Sequence, residues 1–239
     1  SYIRRLSSVL SVHGGLDDDS HVGYLKQKAL IMEPHERTVI LMLDEIHVDP
    51  QTTYKGGALH GKAQNNVLEE ANTVQAFMIS SLLSGNKEVA ALIPVKNLTA
   101  EYLYECTIDV LKLLEGCGYK VLCLISDNRV NRNMFTKMCG GTLQSSIEHP
   151  CASDRRLYFL FDTVHLLKCI RNNWLGQIDQ TFNAPGFASD SSMCAKLAHL
   201  KQLYDAEKNN IVKLAPGLTH KALFPTNMER QNVNLVLKI

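Results

Sequence analysis

Two short apolar runs, far apart in the chain, each break off on an aspartate. Val39-Ile40-Leu41-Met42-Leu43 leads into Asp44, and Val121-Leu122-Cys123-Leu124-Ile125 leads through Ser126 into Asp127. Runs this short, rich in β-branched and aliphatic residues, predict buried strands rather than helices. Between them, apolar Leu103, Cys106, Val110, Leu113 and Leu114 recur at helical spacing, with Thr99 suited to cap the start and Gly116 and Gly118 to stop the end. A strand, a helix and a second strand in that order narrow the chain to the α/β layer architectures.

The remaining segments fill out the order. Residues 2–12 and 21–31 read as short helical or mixed segments around the loop His13–Asp19. Asp49-Pro50 marks a turn, and Thr52-Thr53-Tyr54 before Gly56-Gly57 predicts a second strand with a bend. Residues 73–83 and 88–95 are apolar, and at least one is a strand. A short helix is expected around 131–138, closed by Gly140-Gly141, then a strand over Arg156–Phe161 that runs into Asp162 and a helix to about Trp174. Strand, hairpin strands, helix, strand, helix, strand is the RNase H-like order: a mixed α/β sheet, its first three strands antiparallel and its later ones parallel crossovers, with flanking helices. The domains expected are a leader over 1–37, a partial catalytic core over 38–161 and the start of a mostly helical insertion over 162–239.

In that order the first strand lies beside the fourth, which brings Asp44 and Asp127 together as candidate catalytic and metal-binding residues. Hard divalent cations such as Mg²⁺, or Mn²⁺, prefer oxygen ligands. Two carboxylates on adjoining strands suit a pair of such ions at a phosphodiester. A third acid normally completes the set. The plainer reading of either aspartate alone is a turn or cap residue after an apolar strand.

Longer stretches carry a resemblance. Leu41-Met42-Leu43-Asp44-Glu45-Ile46-His47 and Ser126-Asp127-Asn128 with Asn133-Met134-Phe135 resemble the first and second acid blocks of P-element-type transposases and the THAP-domain proteins derived from them. Phe161-Asp162-Thr163-Val164-His165-Leu166-Leu167-Lys168-Cys169-Ile170-Arg171-Asn172 is similar to their FD-x-x-H-L-x-K-x-x-R-N signature, and Leu218–Leu223 with Pro225 and 233–237 to a later stretch. The resemblance implies a cut-and-paste DNA transposase core of the DDE type, interrupted by a GTP-binding insertion. Asp44 and Asp127 would be its first two acids, and the third is expected beyond Ile239. Its partners would be DNA (transposon ends and target) and GTP, its assembly a homo-oligomer and its location the nucleus. A domesticated, non-transposing DNA- or protein-binding module of the same fold is the alternative.

The resemblance also implies that Asp162 and Lys168 bind the nucleotide. Asp162 begins a helix on which Leu167, Ile170 and Trp174 share one face while His165, Lys168 and Asn172 line another. Without the resemblance this is an ordinary capped amphipathic helix with a solvated basic face.

Other signals mostly exclude. The longest apolar runs fall far short of the roughly 20 residues of a membrane span, so no membrane partner is expected. Seven cysteines without CxxC spacing predict reduced, mostly buried thiols rather than a zinc or disulfide framework. Gly56–Lys62 fits G-x-x-x-x-G-K, but Ala63 stands where a phosphate-binding loop needs a hydroxyl. The net charge of +1 decides nothing about nucleic acid. Arg129, Arg132 and Lys137 after the second acid suit phosphate contacts as well as a solvated helix face.

Overall fold

Apolar alternation and capping signals lay out the elements in chain order in a computed structural model. They are α1 (Asp19–Ile31), β1 (Thr38–His47), β2 (Thr53–Lys55), β3 (Ala58–His60), β4 (Thr73–Ser81) and β5 (Lys87–Val95). Then come α2 (Ala100–Cys117), β6 (Lys120–Ser126), α3 (Arg129–Met138), β7 (Ser146–Glu148) and β8 (Arg156–Phe161). Last are α4 (Thr163–Gly176), β9 (Thr181–Pro185), β10 (Ser192–Lys196), α5 (Leu197–Glu207), α6 (His220–Leu223) and a 3-10 turn, Glu229–Gln231. The structure describes residues 19–55, 57–127, 129–176, 181–185 and 192–232. The expected segment at 2–12, most of the loop after it, Gly56, Asn128 and the 233–237 run lie outside the described residues. The chain divides into two compact units, 1–161 and 162–239.

In the first unit, six strands lie in the order β5-β4-β1-β6-β8-β7. β4 runs antiparallel to both its neighbours, β1 and β5, while β1–β6 and β6–β8 are parallel and β7 runs antiparallel to β8. This is the RNase H-like mixed sheet, and β1 does lie beside β6, the fourth strand of the sheet in chain order. Its core joins Leu41, Phe77, Ile93, Leu124 and Leu157 of the strands to Leu103, Val110, Leu111 and Leu114 of α2 and Met134 and Phe135 of α3. Thr99 Oγ1 accepts the Tyr102 N–H (3.2 Å) and caps α2. Gly118, at φ 96°, ends that helix in the left-handed region that a side chain would strain.

β1 runs from Thr38 through Asp44 to His47, paired with β4 down to Thr73. Two expectations about this unit need correction. The strand expected near Thr52–Tyr54 pairs only with β3, outside the main sheet, whereas 73–81 and 87–95 both join the sheet. The reason is apolar payload: β4 and β5 bury Phe77, Ile79, Ala91 and Ile93, while Tyr54 and Leu59 stay exposed. The leader does not stand apart, because Leu25, Ala29 and Met32 of α1 belong to the same core. β7 has three half-buried or exposed residues and no apolar run to betray it.

The Walker-like stretch has a structural explanation. A side chain at Gly61 (φ 101°) would strike the Gln51 carbonyl, so glycine is required for close backbone approach. Lys62 Nζ donates to the Leu68 carbonyl (3.0 Å) rather than facing a phosphate.

Among the described residues, the second unit holds the helices α4, α5 and α6, the antiparallel pair β9-β10, and a small core of Leu175, Leu197, Leu218 and Leu223. Its α4 is turned the other way from the expectation. Leu167 and Ile170 are 44% and 45% exposed, while Arg171 is only 3% exposed. Trp174 alone of the expected apolar face packs on the small core.

All seven cysteines are free thiols. Only Cys106, Cys117 and Cys123 are buried, fewer than expected; Cys139 and Cys151 are half-buried, and Cys169 and Cys194 are exposed. No helix among the described residues is long and apolar enough to cross a membrane.

Candidate metal centre

Strand pairing sets the geometry of the two aspartates. Leu41 pairs with Leu124 and Met42 with Ile125 in the parallel β1–β6 ladder. Carried two residues further, that register sets Asp44 level with Asp127, the first residue beyond β6. Directly paired residues of parallel strands share a sheet face, and adjoining strands run roughly 4.8 Å apart. Side chains alternate along β1, so the buried Leu41 and Leu43 point into the helix-covered core and Asp44 points to the opposite face. Tyr158 and Leu160, on that second face of β8, are 48% and 53% exposed. The two acids thus occupy an open face beside each other.

Local contacts fix each one. Gln75 on β4 is buried, and its Nε2 donates to the Asp44 carbonyl (3.1 Å). Asp44 Oδ1 accepts the Glu45 N–H (2.9 Å), which orients the carboxylate at an exposed position. Asp127 is half-buried, between the buried Ser126 and the start of α3, whose Asn131 is fully buried. α3 is itself anchored by Phe135, whose ring lies 4.7 Å from that of Phe159 and 5.6 Å from that of Phe161.

The donor set fits a hard cation in kind. Asp44 and Asp127 offer carboxylate oxygens, the ligands that hard cations prefer. Among the described residues, no group of three or more acidic, histidine or cysteine side chains converges.

The second unit holds the other two predicted site residues. Asp162 caps α4: its Oδ1 accepts the Val164 N–H (2.8 Å) and, at 3.4 Å, that of His165, while its Oδ2 meets His165 Nδ1 (3.0 Å). Partial burial pushes its carboxyl up, but the His165 bond and the two backbone N–H groups outweigh that and hold it below the ordinary value. Lys168 is half-buried and makes no ion pair among the described residues. It shares the inward stripe of α4 with Arg171 and Leu175. The sequence reading missed Arg171, although the spacing of Lys168, Arg171 and Leu175 (i, i+3, i+7) already sets them on one face. Of the basic residues after the second acid, Arg132 and Lys137 are exposed, and Lys137 lies over the Tyr104 ring at 5.4 Å; the Arg129 side chain lies outside the described residues.

Comparison with known proteins adds two findings. Over residues 17–139, more than half of the chain, the sequence matches the family described as TNP-like, RNase H N-terminal domain. The fold is similar to a chain in the solved structure of the Drosophila P element transposase strand transfer complex, with a TM-score of 0.73 at 16% identity over 99% of this chain and 49% of that one. This chain thus spans about half the length of the solved one. No curated protein sequence matches it.

Proposed function

The chain belongs to the family of TNP-like RNase H N-terminal domains of P-element-type transposases, and on that premise we propose that it supplies two of the metal-binding carboxylates of a DNA-cutting and strand-joining enzyme. One observation carries the reading: β1 and β6 are adjoining parallel strands whose register, carried two residues past its last pair, Met42 with Ile125, sets Asp44 level with Asp127 on the face turned away from the core. The ions would be Mg²⁺ or Mn²⁺, and the third acid would come from another part of the protein. When bound, such ions activate the attacking water or 3′-hydroxyl and stabilise the leaving oxygen of an in-line displacement. The chain's own part is to hold two carboxylates at a fixed separation. The β1–β6 ladder ends two residues before both acids, β1 stays paired with β4 through Asp44, and Gln75 bonds the Asp44 carbonyl. The substrate would be DNA, with transposon ends and target as the two partners, which implies a nuclear protein. A homo-oligomer would hold two ends together.

The test is strand cleavage and joining by the full-length protein. Asp44→Ala and Asp127→Ala should each abolish both reactions and leave DNA binding largely intact. Mn²⁺ titration of each variant should show lost affinity as well, a readout independent of turnover. Cleavage at the wild-type level in either variant would refute the assignment. A wild-type protein that binds DNA and cuts none would favour the alternative, a non-transposing binding module of the same fold.

The second unit would bind GTP. Lys168 supports this reading, as a half-buried cation on the inward stripe of α4. Asp162 offers only acceptors, so it would take a donor-bearing edge of base or ribose rather than a phosphate. Lys168→Ala should weaken GTP binding about tenfold, in keeping with the loss of one charge-assisted contact. Unchanged affinity in a titration would remove Lys168 from the pocket.

A further inference from the structure

Helix α4 carries its strongest cation inward. Arg171 Nε and Nη2 donate to Asn172 Oδ1 (3.2 and 3.0 Å), and Nη2 also donates to the Arg230 carbonyl (2.7 Å). Asn172 Nδ2 donates to the same carbonyl (3.3 Å). These bonds hold the backbone of the half-buried Arg230 against Arg171, and the Arg230 charge lies near enough to act on it. Arg171 Nη1 and Arg230 Nε are both buried, and neither has an acceptor. Among the described residues, no acid pairs with either arginine. Glu229, next in sequence, is turned to the Thr226 N–H (3.0 Å) and to Lys221 (3.5 Å) instead. Burial, and then the nearby charge of Arg230, lower the pKa of Arg171.

Two neighbouring cations, one almost wholly out of water and neither compensated by a carboxylate among the described residues, are unfavourable for a fold on its own account. The neutral Asn172 amide and one carbonyl satisfy only part of the donor capacity of Arg171. The unused donors belong to planar forks that suit the paired oxygens of a phosphate, in a setting where each charge-assisted bond is strong.

We propose that Arg171 and Arg230 form a phosphate-binding site within the second unit. The inference rests on the nucleotide reading above and deepens it: these two side chains take the nucleotide's phosphates, and Lys168, one turn earlier on the same stripe, adds a third cation. Asp162 stays outside the phosphate site.

Binding of GTP, guanosine and inorganic pyrophosphate to the full-length protein tests this. The wild type should bind GTP and pyrophosphate, and guanosine at least tenfold more weakly than GTP. Arg230→Gln keeps the carbonyl that Arg171 uses and removes a cation with no acceptor for its buried Nε. That variant should melt no lower than the wild type without ligand, lose pyrophosphate binding, bind GTP at least tenfold more weakly and leave guanosine unchanged. Arg230→Lys keeps the charge without the fork and should fall between the two. If Arg230→Gln binds pyrophosphate and GTP like the wild type, the phosphate site is overturned while GTP binding itself stands. If the wild type binds pyrophosphate but not GTP, and Arg230→Gln abolishes it, the oxyanion site stands and the nucleotide reading falls. If the wild type binds neither, both fall. Should Arg230→Gln fail to fold, wild-type pyrophosphate affinity in Arg230→Lys overturns the proposal.

Discussion

His149 shows how a single side chain ties the edge of the sheet to its core. Its ring is buried, with Nε2 3.5 Å from Glu115 Oε1 and Nδ1 accepting the Cys151 N–H (3.1 Å). Those partners select the neutral tautomer with its proton on Nε2. Glu115 also accepts the Val121 N–H (2.9 Å) and pairs with Arg155, so β6 and the loop before β8 meet at one carboxylate. Burial lowers the pKa of His149; Glu115 opposes this shift and the Arg155 charge reinforces it. The unfolded chain therefore takes up the proton first as pH falls from about 6.5, the ordinary value of a free histidine. The stability that neutral His149 contributes is complete above that value, and is lost as pH falls toward the lower folded value. Asp162, held below 3.8, contributes its own dependence only at lower pH. Urea unfolding should show the protein weakening between about pH 7.5 and about pH 5, with a shallower slope in His149→Gln. Equal slopes in the two proteins would show that His149 is not the group responsible.

At the scale of elements, the sequence foretold what apolar pattern and caps encode. β1, β6, β8 and α2 were legible because each combines an apolar run with a terminator, such as Thr99 before α2 and Gly118 after it. What escaped was set by tertiary pairing. Tyr54 and Leu59 look like strand residues, yet in their hairpin both stay exposed, and β7 exists because Ser146–Glu148 pairs with β8. Nor does periodicity alone tell which face of α4 turns inward: Leu167 and Ile170 suggested one side, and the structure buries Arg171 on another. The adjacency of β1 and β6, the strands that lead to Asp44 and Asp127, was legible from strand order, whereas the pairing of β1 with β4 down to Thr73 is a tertiary contact that no local pattern encodes. α3 is the element that makes the second acid's position depend on packing. Phe135 is fully buried against Phe159 and Phe161, and cutting it to alanine removes the ring that fixes the helix just after Asp127. Phe135→Ala should cost about 3–5 kcal/mol of stability, as buried aromatic truncations do. Denaturant unfolding would measure this, and a loss under about 1 kcal/mol would mean that α3 is held by something other than its aromatic anchor.

Across the whole molecule, the two units differ in how much apolar surface they remove from water. The first has a core that runs through α1, α2, α3 and every strand of its sheet except the short β7, with Leu41, Phe77, Leu103, Leu111, Leu124 and Leu157 fully or almost fully buried. Among the described residues, the second buries Leu175, Leu197, Leu218 and Leu223, and it spends buried volume on Arg171 and Glu207 as well. Glu207 is put to use as a cap, its two oxygens accepting the Leu214 and Ala215 N–H groups (3.1 Å each), but a carboxylate adds none of the stabilisation that an apolar side chain would. Stability scales with buried apolar area, and small cores are marginal. Hydrogen exchange should therefore find the slowest amides in β1, β4, β6 and α2, with opening free energies close to the global value. Those of α4, α5 and α6 should exchange through cheaper, sub-global opening. Such a hierarchy suits the two proposals: the proposed metal site needs two carboxylates held in register by the sheet, and the proposed phosphate site would bring counter-charge to the second unit when a ligand arrives. Pyrophosphate or GTP should then slow exchange in α4 and the Glu229–Gln231 turn far more than in β1 or β6. Equal protection of the two units without ligand, or ligand-induced slowing spread evenly over both, would show that they form one cooperative body and that the small core is not the weak point.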